Sequence, residues 1–282
     1  MPIVDGQVHI WTASTPERPW LPPSPQIPAP HKPVPFTKDD LLREMNAAGV
    51  QGAILVTPLW EGIRNDLVLA AAQTHPDRFA VMGRLDPVAP ASHRLIATWL
   101  RQPGMLGLRL LFRPGERPLL SEGQVDWLWP AAEKASVPIM VFAQHSDMQF
   151  IDRIAERCPG LKLVIDHLGL TTGKDEEAFH EIDKVLALAR RPNIAVKASC
   201  LPHYTKDAYP YRALHPYLRR VYDTFGARRM FWGTDFSRLP CTYREAVTMF
   251  TEEIPWLTAE DKAWIMGRGL CEWLGWKLPA CA

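Results

Sequence analysis

The chain has 282 residues, of which 47% are hydrophobic and 22% are charged, and its formal net charge is +1. A chain of this length can bury one large core, and α/β barrels commonly occupy it as a single domain. The near-zero net charge offers no basic surface for nucleic acid and no attraction to an anionic membrane. A small molecule is therefore the expected partner, and the sequence leaves open whether the chain forms a homo-oligomer.

The lack of a recognisable targeting signal and the pattern of the cysteines predict a cytoplasmic protein. The sequence shows no basic segment followed by a short apolar one, as a secretion signal requires, and no apolar stretch long enough to cross a bilayer. The five cysteines are odd in number, scattered and without a CxxC pair, so we expect reduced, buried thiols. They are Cys158, Cys200, Cys241, Cys271 and Cys281.

The first predicted element is a short strand at VDGQVHIW, residues 4–11. Its Gln7 and His9 are two residues apart, and in a regular strand they share one face. The Pro-rich loop that follows, residues 12–36, contains nine prolines, which excludes a helix or a central strand. A loop this long in a compact domain is usually functional, and its prolines favour a fixed wall of a site over a mobile flap. An oligomer contact is the alternative.

After this loop, predicted helices alternate regularly with short strands rich in Val, Ile and Leu, which is typical of buried parallel strands. Helices are predicted over 37–49, 65–75, 91–102, 123–135, 148–160, 176–191, 211–226, 241–253 and 259–275. Further strands are predicted over 52–58, 78–87, 104–112, 137–144, 161–169, 193–199 and 228–236. Eight strands in strict alternation predict an α/β fold of the closed (β/α)₈ TIM-barrel type, one domain over 1–282.

Reactive residues of such barrels lie at the carboxyl ends of the strands, and polar residues recur there in this sequence. They are Gln7, His9, Thr57, Trp60, Arg84, Asp86, Arg109, Arg113, Gln144, His145, Asp166, His167, Lys197, Ser199, Thr234 and Asp235. Each alone has a structural interpretation, such as a hydrogen-bonded core histidine or an ion-paired arginine. Together, histidines after strands one and six and an acid after strand eight are expected to converge at one barrel mouth.

Several segments together resemble one family. VDGQVHIW, GLRLLF, LVIDHLG, VKAS, MFWGTDFSRLP and GRGLCEWLGW resemble the amidohydrolase superfamily along essentially the whole chain. The resemblance is to the lactonase branch, which includes 2-pyrone-4,6-dicarboxylate lactonase, fuconolactonase and 4-sulfomuconolactonase. It implies a (β/α)₈ barrel and, in metal-dependent members, a cation held by His-x-His on strand one, His on strands five and six, and Asp on strand eight.

Carried over to this sequence, the resemblance puts His9, His167 and Asp235 on three of the family's ligand positions. Gln7 stands where the first His belongs. The strand-five position falls near Phe142, and a small shift of the alignment would place Gln144 or His145 there instead. An amide oxygen is a poor ligand for cations that prefer imidazole or thiolate. We therefore predict a site without a metal or other cofactor, in which Gln7 donates a hydrogen bond.

The predicted function is a hydrolase that opens a lactone of a small carboxylic acid. Asp235 is the predicted general base that activates water, and His9 and His167 are predicted to polarise the lactone carbonyl with help from Gln7. The resemblance implies that Arg109 engages a substrate carboxylate, for which a guanidinium fork is suited.

Further substrate-binding residues are predicted from their places at strand ends and in loops. They are Trp60, Gln144, His145, Lys197 and Trp11. The aromatic members suggest a flat substrate, such as an intermediate of aromatic degradation, rather than a sugar lactone. Lys197, inside the barrel mouth, is expected to pair with Asp235 or with a substrate carboxylate.

Two alternatives remain open. One is a metal-dependent hydrolase or non-oxidative decarboxylase of the same superfamily, with His9, His167, Asp235 and His145 around Zn²⁺ or Mn²⁺. The other is a non-catalytic ligand-binding barrel. The sequence does not name the substrate or its pathway, and the choice of hydrolysis over decarboxylation rests on family resemblance.

Overall fold

The computed structural model describes residues 1–277, and a parallel eight-stranded sheet forms its centre. The strands are β1 (Val4–Val8), β2 (Gly52–Leu55), β3 (Phe79–Gly83), β4 (Met105–Phe112), β5 (Ile139–Ala143), β6 (Leu163–Ile165), β7 (Ile194–Ser199) and β8 (Met230–Gly233). They pair in sequence order, and beyond the end of β8 the backbone N–H of Asp235 donates to the Gln7 carbonyl at 2.9 Å. The predicted (β/α)₈ barrel is confirmed.

Helices connect the strands and cover the outside of the sheet. They are α1 (Lys38–Ala48), α2 (Asp66–Thr74), α3 (Ser92–Leu95), α4 (Arg117–Ser121), α5 (Leu128–Lys134), α6 (Met148–Arg157), α7 (Glu176–Phe179), α8 (Asp183–Leu186), α9 (His215–Phe225), α10 (Tyr243–Thr251), α11 (Ala259–Ala263) and α12 (Gly269–Leu274). The N-cap threonines of α1, α10 and α11 each form a reciprocal capping box with an acid three residues later. None of the helices in residues 1–277 has the length and apolar content needed to span a bilayer.

The predicted helix over 176–191 is wrong as one continuous element. The structure breaks it into α7, α8 and a 3₁₀ turn over Ala187–Arg190. Apart from Ala178, its buried residues Phe179, Ile182, Val185 and Leu188 recur every third position. That spacing is the period of a 3₁₀ helix, and an α-helix of 3.6 residues per turn would rotate these side chains off the core.

The closing segment, predicted as one helix over 259–275, is also interrupted, by a π turn over Trp264–Arg268. Here Gly267 lies against the start of the chain, and a Cβ on it would be 3.0 Å from the Pro2 carbonyl oxygen. α12 then covers apolar side chains inside the barrel, among them Val4, Met140 and Phe231. This end of the barrel is packed shut, so access is from the carboxyl ends of the strands.

The register of β1 against β2 contains one extra residue. Val4 and Asp5 pair with Gly52 and Ala53, but Val8 pairs with Leu55, so three steps on β1 match two on β2. Such a bulge redirects side chains. Consequently Asp5 turns towards α10 and Gln7 towards the barrel interior.

Among the cysteines in residues 1–277, all are free thiols. Cys158, Cys200 and Cys271 are buried, as expected, and Cys241 is partly exposed. Cys281 lies outside the described residues.

Candidate active site

A cavity opens at the carboxyl end of the barrel, where strand ends meet the Pro-rich loop. Its lining residues are His9, Pro28, His31, Pro58, Leu59, Trp60, Arg109, Leu111, Arg113, Phe142, His167, Asp235 and Arg238. They come from both halves of the barrel and from the segment between β1 and α1. The predicted catalytic residues Asp235, His9 and His167 therefore share one cavity, as the sequence indicated.

Asp235 follows β8 in a left-handed backbone conformation, with φ 53° and ψ 45°. Non-glycine residues rarely adopt this region, and such strain is concentrated at functional sites. The Asp235 Oδ1 atom lies 3.1 Å from His9 Nε2, and Oδ2 lies 3.9 Å from His167 Nε2 and 3.8 Å from Arg238 Nη1. Burial alone would raise the pKa of Asp235, but these neighbours hold it well below its usual value. The carboxylate is therefore ionised.

Both histidines are held by their Nδ1 atoms and point Nε2 towards Asp235. His9 Nδ1 donates to the Val56 carbonyl at 2.7 Å, and His167 Nδ1 lies 2.8 Å from Ser199 Oγ. His167 also follows its strand in the left-handed region, with φ 51°. Burial lowers the pKa of His167 to about 3, so this ring is neutral.

A charged network lies beneath the cavity floor. Asp166 Oδ2 accepts from Arg109 Nε at 2.7 Å, and its Oδ1 lies 2.7 Å from Lys197 Nζ. Lys197 Nζ also donates to Gln7 Oε1 at 2.7 Å. Burial would raise the pKa of Asp166, but Lys197 and Arg109 hold it far below its usual value. This network fixes Arg109, whose Nε is engaged while the guanidinium lines the cavity.

The Pro-rich loop forms one wall of the cavity through Pro28 and His31, and its rigidity stays a prediction. His31 lies between the rings of Trp60 and His9, at centroid distances of 4.7 and 5.9 Å, and its Nδ1 is 2.7 Å from Ser237 Oγ. Burial lowers the pKa of His31 to about 3, so it is a neutral ring above the site. Arg113 Nη1 donates to the Gln26 carbonyl at 3.0 Å and ties the loop to β4.

The charges of the lining residues are unequal. Arg109, Arg113 and Arg238 supply three guanidinium groups, whereas Asp235 supplies a single carboxylate. Guanidinium groups that line a cavity favour anions, above all planar carboxylates. The cavity is therefore complementary to a small anionic ligand.

The structure separates the predicted substrate-binding residues into two groups. Arg109 and Trp60 line the cavity. Lys197 is fully buried below it, and Trp11 packs behind Trp60 with its Nε1 donating to the Val34 carbonyl. Gln144 and His145 do not line it.

His145 faces a groove on the outer surface beside α6 and α8, and its Nε2 is 2.9 Å from the Leu168 carbonyl oxygen. Contact of Lys197, Trp11, Gln144 or His145 with a substrate stays a prediction.

Two lining residues with polar side chains, Arg238 and His31, were not predicted from the sequence. Arg238 follows Asp235 by three residues within a 3₁₀ turn, so that spacing was a usable signal in TDFSRLP. His31 carries no such signal, because no local sequence pattern predicts the path that a Pro-rich loop takes across the barrel.

The donor set does not fit the metal centre that the family resemblance implies. The Gln7 amide oxygen is used by Lys197, and its amide nitrogen lies 3.4 Å from His167 Nε2. Phe142 occupies the strand-five side of the cavity, with its ring 5.9 Å from that of His167. Within residues 1–277, no three His, Cys, Asp or Glu side chains are arranged to hold a metal ion.

Comparisons with known proteins agree with the resemblance read from the motifs. The chain is 28% identical to an L-fucono-1,5-lactonase of Burkholderia ambifaria over 248 residues, 83% of this chain and 79% of that protein. It is 24% identical to a 4-sulfomuconolactone hydrolase of Hydrogenophaga intermedia over 214 residues, 70% of this chain and 64% of that protein.

Solved structures share the fold. A crystal structure of an amidohydrolase from Burkholderia multivorans with bound zinc superposes with a TM-score of 0.81 at 19% identity, covering 98% of this chain and all of the other. The sequence profile of the family described as Amidohydrolase matches residues 4–268. This chain therefore belongs to the amidohydrolase family.

Proposed function

We propose that this chain is a lactonase, a hydrolase that opens the cyclic ester of a small anionic acid without an obligatory metal. One observation carries the proposal: the Asp235 carboxylate lies beside two imidazoles in a cavity lined by three guanidinium groups. Two similar proteins, one of them at 28% identity, are named as lactone hydrolases, which supports this class of reaction.

Asp235 is the proposed general base. It takes a proton from a water molecule as the water oxygen attacks the lactone carbonyl carbon, and that proton then passes to the ring oxygen as the carbon–oxygen bond breaks. Because its pKa is low, the carboxylate is available over the whole working pH range but draws protons weakly. The reaction therefore also depends on polarising the carbonyl, and a lactone is an activated ester that suits such a site.

His9 is the proposed donor to the carbonyl oxygen. Its Nδ1 proton is used by the Val56 carbonyl, so Nε2, which lies 3.1 Å from Asp235 Oδ1, is the ring atom that faces the cavity. In the proposed reaction a proton on this Nε2 is donated as a hydrogen bond to the developing oxyanion. The role of His167 depends on which ring nitrogen carries its proton, since a bare Nε2 accepts a hydrogen bond and a protonated one donates.

The proposed substrate carries at least one carboxylate or comparable anion. Arg109 uses only Nε in its contact with Asp166, which leaves its terminal nitrogens for a ligand. Arg113 and Arg238 lie on the same cavity, and Trp60 and Phe142 offer aromatic surfaces beside them. A flat, anionic lactone satisfies both features.

The experiment is a hydrolysis assay on matched pairs of carboxylated and neutral lactones, with metal content measured by mass spectrometry before and after chelation. We expect hydrolysis of the carboxylated members that persists in metal-free protein. Loss of activity on chelation and its return with Zn²⁺ or Mn²⁺ would establish a metal-dependent hydrolase instead. Release of CO₂ from hydroxybenzoates, or tight ligand binding without turnover, would contradict the lactonase assignment.

A further inference from the structure

Lys197 is a cation that the proposed reaction does not use. Its side chain is fully buried on β7 and does not line the cavity. Its Nζ lies 2.7 Å from Asp166 Oδ1 and 2.7 Å from Gln7 Oε1, with the Gly6 carbonyl oxygen at 3.4 Å. An ammonium group enclosed in this way acts on the cavity only through the residues that it touches.

The ammonium group fixes which way the Gln7 amide points. An ammonium has three donors and no acceptor, so the Gln7 atom that faces it is the oxygen. The amide NH₂ group must then face the other way, where Gln7 Nε2 lies 3.4 Å from His167 Nε2. If the Gln7 amide were rotated by half a turn, its NH₂ group would face the Lys197 ammonium, and two donors would oppose each other.

The amide in turn fixes the tautomer of His167. Because Gln7 presents a donor, His167 Nε2 must offer a lone pair, and the ring proton must be on Nδ1. Nδ1 lies 2.8 Å from Ser199 Oγ, a hydroxyl oxygen able to accept that proton. At each contact from Lys197 through Gln7 and His167 to Ser199, a hydrogen-bond donor therefore faces an acceptor.

We propose that Lys197 is a positioning residue that, through Gln7, holds His167 in the tautomer with a bare Nε2. This Nε2 lies 3.9 Å from Asp235 Oδ2, and both atoms are acceptors. Because its one lone pair faces the Gln7 amide, this Nε2 gives no proton to Asp235, which leaves Asp235 Oδ2 free to accept a hydrogen from a water molecule. Only this last step rests on the proposed lactonase function, in which that water is the nucleophile.

The test is long-range ¹H–¹⁵N correlation spectroscopy of the full chain labelled with ¹⁵N-histidine, which identifies the protonated nitrogen of each ring. The His167 signals are assigned from their loss in His167→Gln. In the wild-type chain we expect a protonated Nδ1 and a bare Nε2. A wild-type pattern with protonated Nε2 would overturn the proposal.

Gln7→Glu is the decisive variant. The new carboxylate keeps one oxygen for Lys197 but places its second oxygen, an acceptor, where the amide NH₂ faced His167. We expect the His167 pattern to switch to a protonated Nε2. The matched control is Gln149→Glu, at an exposed position on α6, which adds the same charge and should leave the pattern unchanged. An unchanged pattern in Gln7→Glu would contradict the proposal.

Lys197→Met tests the ammonium itself, because it keeps the length of the side chain and removes the charge. We expect both His167 tautomers to be populated, since either end of the Gln7 amide then tolerates the methionine. A single unchanged tautomer would show that Lys197 does not set it. If this variant does not fold, the result for Gln7→Glu decides. Because the tautomer is read by spectroscopy and not by activity, a failed lactone assay would refute the proposed function and not this inference.

Discussion

Two buried carboxylates lie where β1 meets β8, and their surroundings differ completely. Asp5 is enclosed by neutral donors, with the backbone N–H groups of Gln7 and Thr234 at 2.9 Å from Oδ1 and the Tyr243 hydroxyl at 2.7 Å from Oδ2. The Thr234 hydroxyl also donates to it. Asp235, in contrast, is surrounded by two imidazoles and a guanidinium.

The difference separates a structural carboxylate from one with capacity for chemistry. Burial raises the pKa of Asp5, whereas the neighbours of Asp235 hold its pKa well below the usual value. The oxygens of Asp5 are saturated and join β1, β8 and α10. Within residues 1–277, Asp235 Oδ1 is buried without a hydrogen bond of good geometry, so it retains capacity to bind water. Burial alone does not mark a catalytic acid; Asp235 differs from Asp5 in that its carboxylate lines the cavity.

The largest expected effect comes from Asp235→Asn. An amide cannot take the proton of the attacking water, so we expect kcat/KM for a carboxylated lactone to fall by about 10² to 10⁴. Circular dichroism and the urea midpoint should stay close to those of the wild-type chain. Activity within a few-fold of wild type would remove Asp235 from the mechanism.

Asp5→Asn should do the reverse of Asp235→Asn and lower stability while leaving activity nearly unchanged. The new NH₂ group faces groups that donate to Asp5, so we expect the free energy of unfolding to fall by about 1–3 kcal/mol. Urea denaturation measures this loss. Turnover per folded molecule should remain nearly normal, and a large fall in kcat without a loss of stability would erase the distinction between the two carboxylates.

A smaller effect is expected from the cationic surroundings of Asp235. Arg238→Gln removes one guanidinium from the cavity, and we expect KM for a carboxylated lactone to rise by about tenfold. A neutral lactone of the same ring should show much less change. Arg157→Gln, on an exposed ion pair with Asp126, is the matched control. Equal effects on charged and neutral lactones would argue against an anion-binding role for Arg238.

The smallest effect concerns the pH dependence of stability. Because the pKa of His31 in the folded chain is about 3, the unfolded chain binds more protons between that value and the ordinary histidine pKa. The stability contributed by neutral His31 is thus complete above about pH 6.5 and is lost as the pH falls. We expect His31→Asn to lose less stability than wild type between pH 7.5 and 5, by on the order of 1 kcal/mol.

Urea unfolding at the two pH values measures this difference, and His180→Asn at an exposed position is the matched control. Parallel losses in wild type and His31→Asn would show that the ring above the cavity does not resist protonation.

Local sequence patterns were sufficient for the barrel and for the centre of the site. Alternating apolar strands and amphipathic helices are local signals, because each element must bury one face whatever its neighbours are. Once eight strands are parallel, their carboxyl ends meet at one mouth, which is why His9, His167 and Asp235 were predicted to converge.

The remaining features depend on contacts between residues far apart in the chain. The bulge in β1 sends Asp5 and Gln7 in different directions although they are two residues apart. The path of the Pro-rich loop, which brings His31 to Ser237, follows from packing against Trp60 and not from any periodicity. His145, one residue beyond Gln144 at the end of β5, turned out to face an outer groove. Local patterns were therefore enough to predict which residue types lie at the barrel mouth. Which of their side chains reach the cavity depends on tertiary packing, because partners far away in the chain set the direction of a side chain beyond a strand end.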